Sequence, residues 1–70
     1  METMPRYPDI QIQLHSHNPF ALVSAVRQEL RRRHVDAGEI ARFTAEALSS
    51  EEPTHVRDVC TSWATVEVLP

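Results

Sequence analysis

Four histidines, one cysteine and seven arginines are the residues of this 70-residue chain best suited to chemistry. His15 and His17 stand two apart, which in a strand puts both side chains on one side. Neutral imidazoles bind zinc, but a tetrahedral site takes three or four protein ligands. The other candidates, His34, His55 and Cys60, lie far off in sequence. The expectation is a polar connector with incidental histidines, and no metal. Cys60 would act as a nucleophile only beside a base. It falls on one apolar stripe with Val56, Val59 and Trp63, and so reads as a small buried hydrophobe. Glu51 and Glu52 are neighbours in a linker, not a pair facing each other across a cleft. A single glycine, Gly38, leaves no glycine-rich phosphate loop. So short a chain also has little room for a substrate pocket of several hundred Å³. The sequence points away from an enzyme: no catalytic residue, no cofactor, no small-molecule substrate.

The arginines suggest a different chemistry. Arg27 and Arg31 are four apart, on one helical face, and Arg31-Arg32-Arg33 form a run. A strand followed by two helices with such a cluster invites comparison with ribbon-helix-helix repressors. There, strands paired across a dimer enter the major groove. Gln11 and Gln13 would be the reading residues, because glutamine bonds the adenine edge with two contacts. Against this stand a net charge of −3, a lone Arg6 near the strand, and a C-terminal segment that fold does not use. A chain with pI near 5.7 lacks the positive field that gathers nucleic acid or anionic lipid. The plainer reading is a solvated helix end. Protonating all four histidines would move the charge from −3 to +1, so charge-dependent behaviour is expected below about pH 6.5.

These residues must be carried by elements that the patterning defines. Met1 to Pro8, with two prolines, reads as a flexible N-terminal tail (1–8), leaving 9–70 as one small domain. Asp9 to Leu14 alternates, with Ile10, Ile12 and Leu14 against Gln11 and Gln13, which is a half-buried strand. Asn18-Pro19 starts a helix, asparagine capping free amides and proline suiting the first turn. Leu22, Val23, Val26 and Leu30 form its apolar stripe, and the arginine run complements the negative end of its dipole. Asp36 opens a second helix, with Glu39 placed for a capping box and Val35 and Ile40 for a hydrophobic staple. Ile40, Phe43, Ala47 and Leu48 make its buried stripe. The linker Ser49 to Pro53 ends it.

Val56, Val59, Cys60 and Trp63 recur at helical spacing, with Thr54 as a possible cap, although the segment's valines and threonines favour strand. From Ala64 the pattern turns to alternation, with Ala64, Val66 and Val68 on one face. The expected fold is α+β, ordered β-α-α-α-β, its two terminal strands paired beneath a three-helix layer. Ile10, Ile12, Leu14, Phe20, Val23, Val26, Leu30, Ile40, Phe43, Leu48, Val56, Val59, Trp63 and Val66 are the expected core.

The run Asn18, Phe20-Ala21, Val26, Leu30-Arg31-Arg32, Val35, Ile40, Phe43, Glu46-Ala47, Ser49, His55, Trp63 and Val66-Glu67-Val68 resembles a group of short bacterial proteins. These are frequent in actinobacteria and on phages and plasmids. The likeness spans residues 9 to 68. It departs at Pro19, where the group has alanine, and at Glu51 to Thr54, where it has a glycine-aspartate-tyrosine-aspartate turn. The resemblance implies the fold and a bacterial or mobile-element origin. It brings no activity, substrate or site residue.

Composition narrows the function classes. With 41% apolar and 24% charged residues, the chain has the makeup of a folded domain, not of a disordered one. No apolar run approaches the roughly 20 residues of a spanning helix, and the first residues do not read as a secretory signal. A lone cysteine fits the reducing cytoplasm. A domain this small buries only about 60% of its unfolded surface, and its terminal strands leave edges to be covered. The leading expectation is a non-catalytic protein-interaction module that self-associates or docks on a larger protein; the alternative is the repressor reading through Gln11 and Gln13.

Overall fold

Residues 4–15 and 18–69 are described by the structure, a computed structural model. The order is β1 (Tyr7–Leu14), α1 (Pro19–Arg32), α2 (Ala37–Ala47), α3 (Pro53–Trp63) and β2 (Ala64–Val68). This is the expected α+β arrangement, and the two strands pair in parallel.

In β1, Ile10 and Ile12 are buried while Gln11 and Gln13 stay exposed. The strand starts at Tyr7, inside the segment expected to be a tail. Aromatic packing draws it in: the Tyr7 ring stacks on Trp63 with centroids 6.1 Å apart. The Arg6 amide also donates to the Ser62 carbonyl at 3.0 Å. The tail expectation therefore fails for residues 6 to 8, and Met1 to Thr3 lie outside the described residues. Tyr7 is level with Ala64 and Gln11 with Thr65, so β1 bulges between them. Pro8, which has no N–H to give a ladder, sits in that bulge. Its carbonyl accepts from Thr65 Oγ1 at 2.9 Å.

Asn18 caps α1 by accepting from the Phe20 amide at 3.0 Å, with Pro19 in the first position. Leu22, Val23, Val26 and Leu30 are its buried face. Phe20 does not join them and is 51% exposed. At about 100° per residue it lies roughly 100° round the helix from the middle of that stripe. Leaving α1, the Val35 amide donates to the Leu30 carbonyl and the His34 amide to Arg31, both at 3.0 Å. These paired bonds are a Schellman motif, with His34 in the left-handed conformation (φ 59°) where glycine is usual.

Asp36 caps α2, accepting from the Gly38 amide at 2.9 Å. The capping box does not close, because the Glu39 carboxylate turns to Arg6, at 2.9 Å. Ile40, Phe43 and Ala47 are buried, but Leu48, expected with them, is 50% exposed. Leu48 is the C-cap of α2, and lies about 110° from the stripe formed by Ile40, Phe43 and Ala47.

Helical spacing prevails over β-propensity in α3, where Val56, Val59, Cys60 and Trp63 are buried. Thr54 is not its cap: Glu52 holds that place without a side-chain bond, and Pro53 opens the helix. Trp63 meets Phe43 edge to face at 5.4 Å. Leu14 and Val66, expected in the core, pack at its margin, whereas Ala64 is fully inside.

Candidate functional site

The residues first considered for chemistry do not converge. His15 is exposed at the end of β1, and His17 lies outside the described residues. His55 holds the α2–α3 connection together. Ser49 Oγ donates to the Glu46 carbonyl at 2.8 Å, and His55 Nε2 lies 3.0 Å from both that carbonyl and Ser49 Oγ. Among the described residues, no three His, Cys, Asp or Glu side chains come together as a metal site would require. Cys60 is wholly buried, and burial pushes its thiol from 9.0 up to about 11. A group so placed stays a protonated, inaccessible thiol at neutral pH. Glu51 and Glu52 are exposed in the linker. On the outer sheet face Gln13 Nε2 donates to Glu67 Oε2 at 3.3 Å.

The arginines separate into two kinds. Arg33 reaches back to β1, 2.6 Å from Asp9 Oδ2 and 3.2 Å from the Asp9 carbonyl. Arg32 pairs with Glu29 at 3.2 Å. Arg6 pairs with Glu39 and lies 5.0 Å over the Trp63 ring. Arg27 and Arg31, like Arg42 and Arg57, differ: among the described residues none of the four has a carboxylate within ion-pair distance. Arg27 Nε is buried and has no hydrogen-bond partner there. An orphaned buried donor costs about 1–3 kcal/mol.

Both of these arginines line an open groove of about 880 Å³ between α1 and α2. Ile40, Ala41, Ala45 and Leu48 form its apolar side, and Arg27, Arg31 and His34 stand along the other. Among the described residues no carboxylate lines it. Against the expectation for so short a chain, this room is present, on the surface between two helices.

The groove arises from α2 having two apolar faces. One carries Ile40, Phe43 and Ala47 into the core. The other carries Ala37, Ala41 and Ala45 at four-residue spacing, with Leu48 beside them, and it is exposed. Sequence reasoning missed this second face by assigning Leu48 to the first. The alanine spacing was the available signal. Arg27 and Arg31, noted for their shared helical face, do come together with it.

No protein-family model, curated protein or solved structure matches the chain.

Proposed function

We propose that this chain is a non-catalytic protein-interaction module that docks through the α1–α2 groove. The observation that carries the reading is the groove itself: an apolar trough of about 880 Å³, with Leu48 half-exposed in it. A domain of this size has few apolar side chains to spare from its core, so an open apolar trough marks a surface meant to be covered. Self-association is one way of covering it. No helix among the described residues is long and apolar enough to cross a membrane. The lone cysteine supports a cytoplasmic setting, and the resemblance to short bacterial and mobile-element proteins supports that origin.

The repressor alternative draws less support. One edge of β1 is already paired with β2 of the same chain. Gln13 is engaged by Glu67, a negative charge on the face that would meet phosphates.

Wild type and Ala41→Arg, which blocks the groove from an exposed position, serve as baits in extracts of the source cells and as samples for light scattering. The expected result is a partner or a dimer that wild type holds and Ala41→Arg loses, with unchanged circular dichroism. Equal behaviour of the two proteins would remove the groove from the reading. Tight, salt-sensitive DNA binding weakened in selectivity by Gln11→Ala would move it to the repressor.

A further inference from the structure

Resting on that docking reading, we infer that the occupant of the α1–α2 groove is an acidic amphipathic helix of a different protein. Three observations select it.

The first concerns backbone. The groove walls are helices, whose main-chain groups are already bonded within each helix. An extended segment laid between them would find no edge to pair with, leaving its own amides and carbonyls without partners as water is expelled. A helix brings its backbone satisfied. The alanine row on α2 gives it a low floor for close approach. At 11 residues α2 is about 16 Å long, matching a partner helix of roughly three turns with anchors at i, i+3 or i+4, and i+7.

The second concerns charge. Arg27, Arg31 and His34 line the groove and, among the described residues, no carboxylate does, although the chain as a whole carries −3. The acidic residues that neutralise Arg6, Arg32 and Arg33 are spent elsewhere. Glutamates flanking the apolar face of an incoming helix would meet Arg27 and Arg31 with bidentate geometry open to them.

The third concerns symmetry. In a two-fold contact the same patch faces itself. Groove against groove would bring these basic residues of one copy toward those of the other, with no carboxylate among the described residues of either lining. Like charges meeting at an interface are unfavourable, which counts against a second copy of this chain. An apolar floor counts against nucleic acid.

The probe is a displayed library of 20-residue amphipathic peptides. Leu or Ile stands at the anchor positions, and Glu, Gln or Lys is randomised beside them. Selection on wild type is expected to enrich Glu. A synthetic enriched peptide, followed by fluorescence anisotropy, should bind at least about tenfold more weakly to Arg27→Glu/Arg31→Glu and to Ala41→Arg. Its Glu-to-Lys counterpart should recover binding on the charge-reversed protein. Circular dichroism of both variants checks the fold. Enrichment of Lys or Gln, or none at all, overturns the inference. Should no peptide be enriched while wild type is a dimer that Ala41→Arg splits, the groove belongs to a second copy and only the docking reading survives. A monomer that enriches nothing removes both.

Discussion

Two corners of this domain use arginine in opposite ways. At one, Arg6 lies over Trp63 and pairs with Glu39, beside Tyr7 stacked on the same indole. Every group there has its partner within the chain. At the other, Arg27 and Arg31 border an apolar groove with no carboxylate in reach among the described residues. The first corner spends its charges on the fold. The second leaves charge and apolar surface unspent together, and side chains left in that state cost stability unless something else uses them. Composition cannot distinguish the two, since both are arginine beside hydrophobe.

The comparison breaks most readily at Trp63. It is 3% exposed and touches Phe43 and Tyr7. Trp63→Ala should lower unfolding stability by about 3–5 kcal/mol, the usual loss for a buried aromatic. Urea denaturation would show it, and an unchanged midpoint would mean that the aromatic corner does not hold the fold.

Cys60, on the buried face of α3 with Trp63, gives a pH test. Folding favours its neutral thiol, raising the value from 9.0 to about 11. The stability this represents is full below pH 9 and drains away as pH climbs through 11. The loss is on the order of 3 kcal/mol. Wild type should weaken between pH 8.5 and 10.5 more steeply than Cys60→Ala, and parallel curves would contradict the burial.

At the groove the sign reverses. Arg27→Met keeps the apolar stem and removes the orphaned Nε, so it should stabilise by about 1 kcal/mol. Arg33→Met breaks the contacts to Asp9 and should cost up to about 1 kcal/mol. Thermal melts of the pair sharpen the contrast, and a loss in both would show Arg27 to be bonded in solution.

Smaller effects follow from the caps. Asp36→Ala should cost about 1 kcal/mol. A Cβ on Gly38 would sit 2.8 Å from Asp36 Oδ2, so Gly38→Ala displaces that cap while gaining helix propensity. It should be near neutral in wild type but stabilising by about 1 kcal/mol once Asp36 is alanine. A double-mutant cycle measures that coupling. Smallest is His34→Gly, expected to stabilise by about 0.5 kcal/mol as left-handed strain is relieved. A lower melting temperature would mean that the imidazole makes contacts worth more than that strain.

Much of this was legible in the residues. Strict alternation placed Ile10 and Ile12 inside, four apolar residues at helical spacing placed one face of α1, and Asn18-Pro19 and Asp36 marked helix starts. What escaped was contact between distant segments. Nothing local says that Tyr7 will leave a proline-bearing tail for Trp63, or that Glu39 will forsake its own helix for Arg6. The groove was half legible: the four-residue spacing of Arg27 and Arg31 puts them on one face, but the alanines opposite look like ordinary helix filler until α1 and α2 are side by side.

The parallel pairing of β1 with β2 bears on how the molecule comes into being. It joins groups 57 residues apart, as in the bond from Thr65 to Pro8, so the sheet cannot knit until nearly the whole chain has been drawn into a ring. The three helices need only near neighbours and can flicker in and out within microseconds. Closing that ring is then the slow step, and the architecture places this chain nearer the pace of mixed α/β domains than of simple helical bundles. In a pulse-labelling experiment the amides of α1 would gain protection first, and those joining the two strands last.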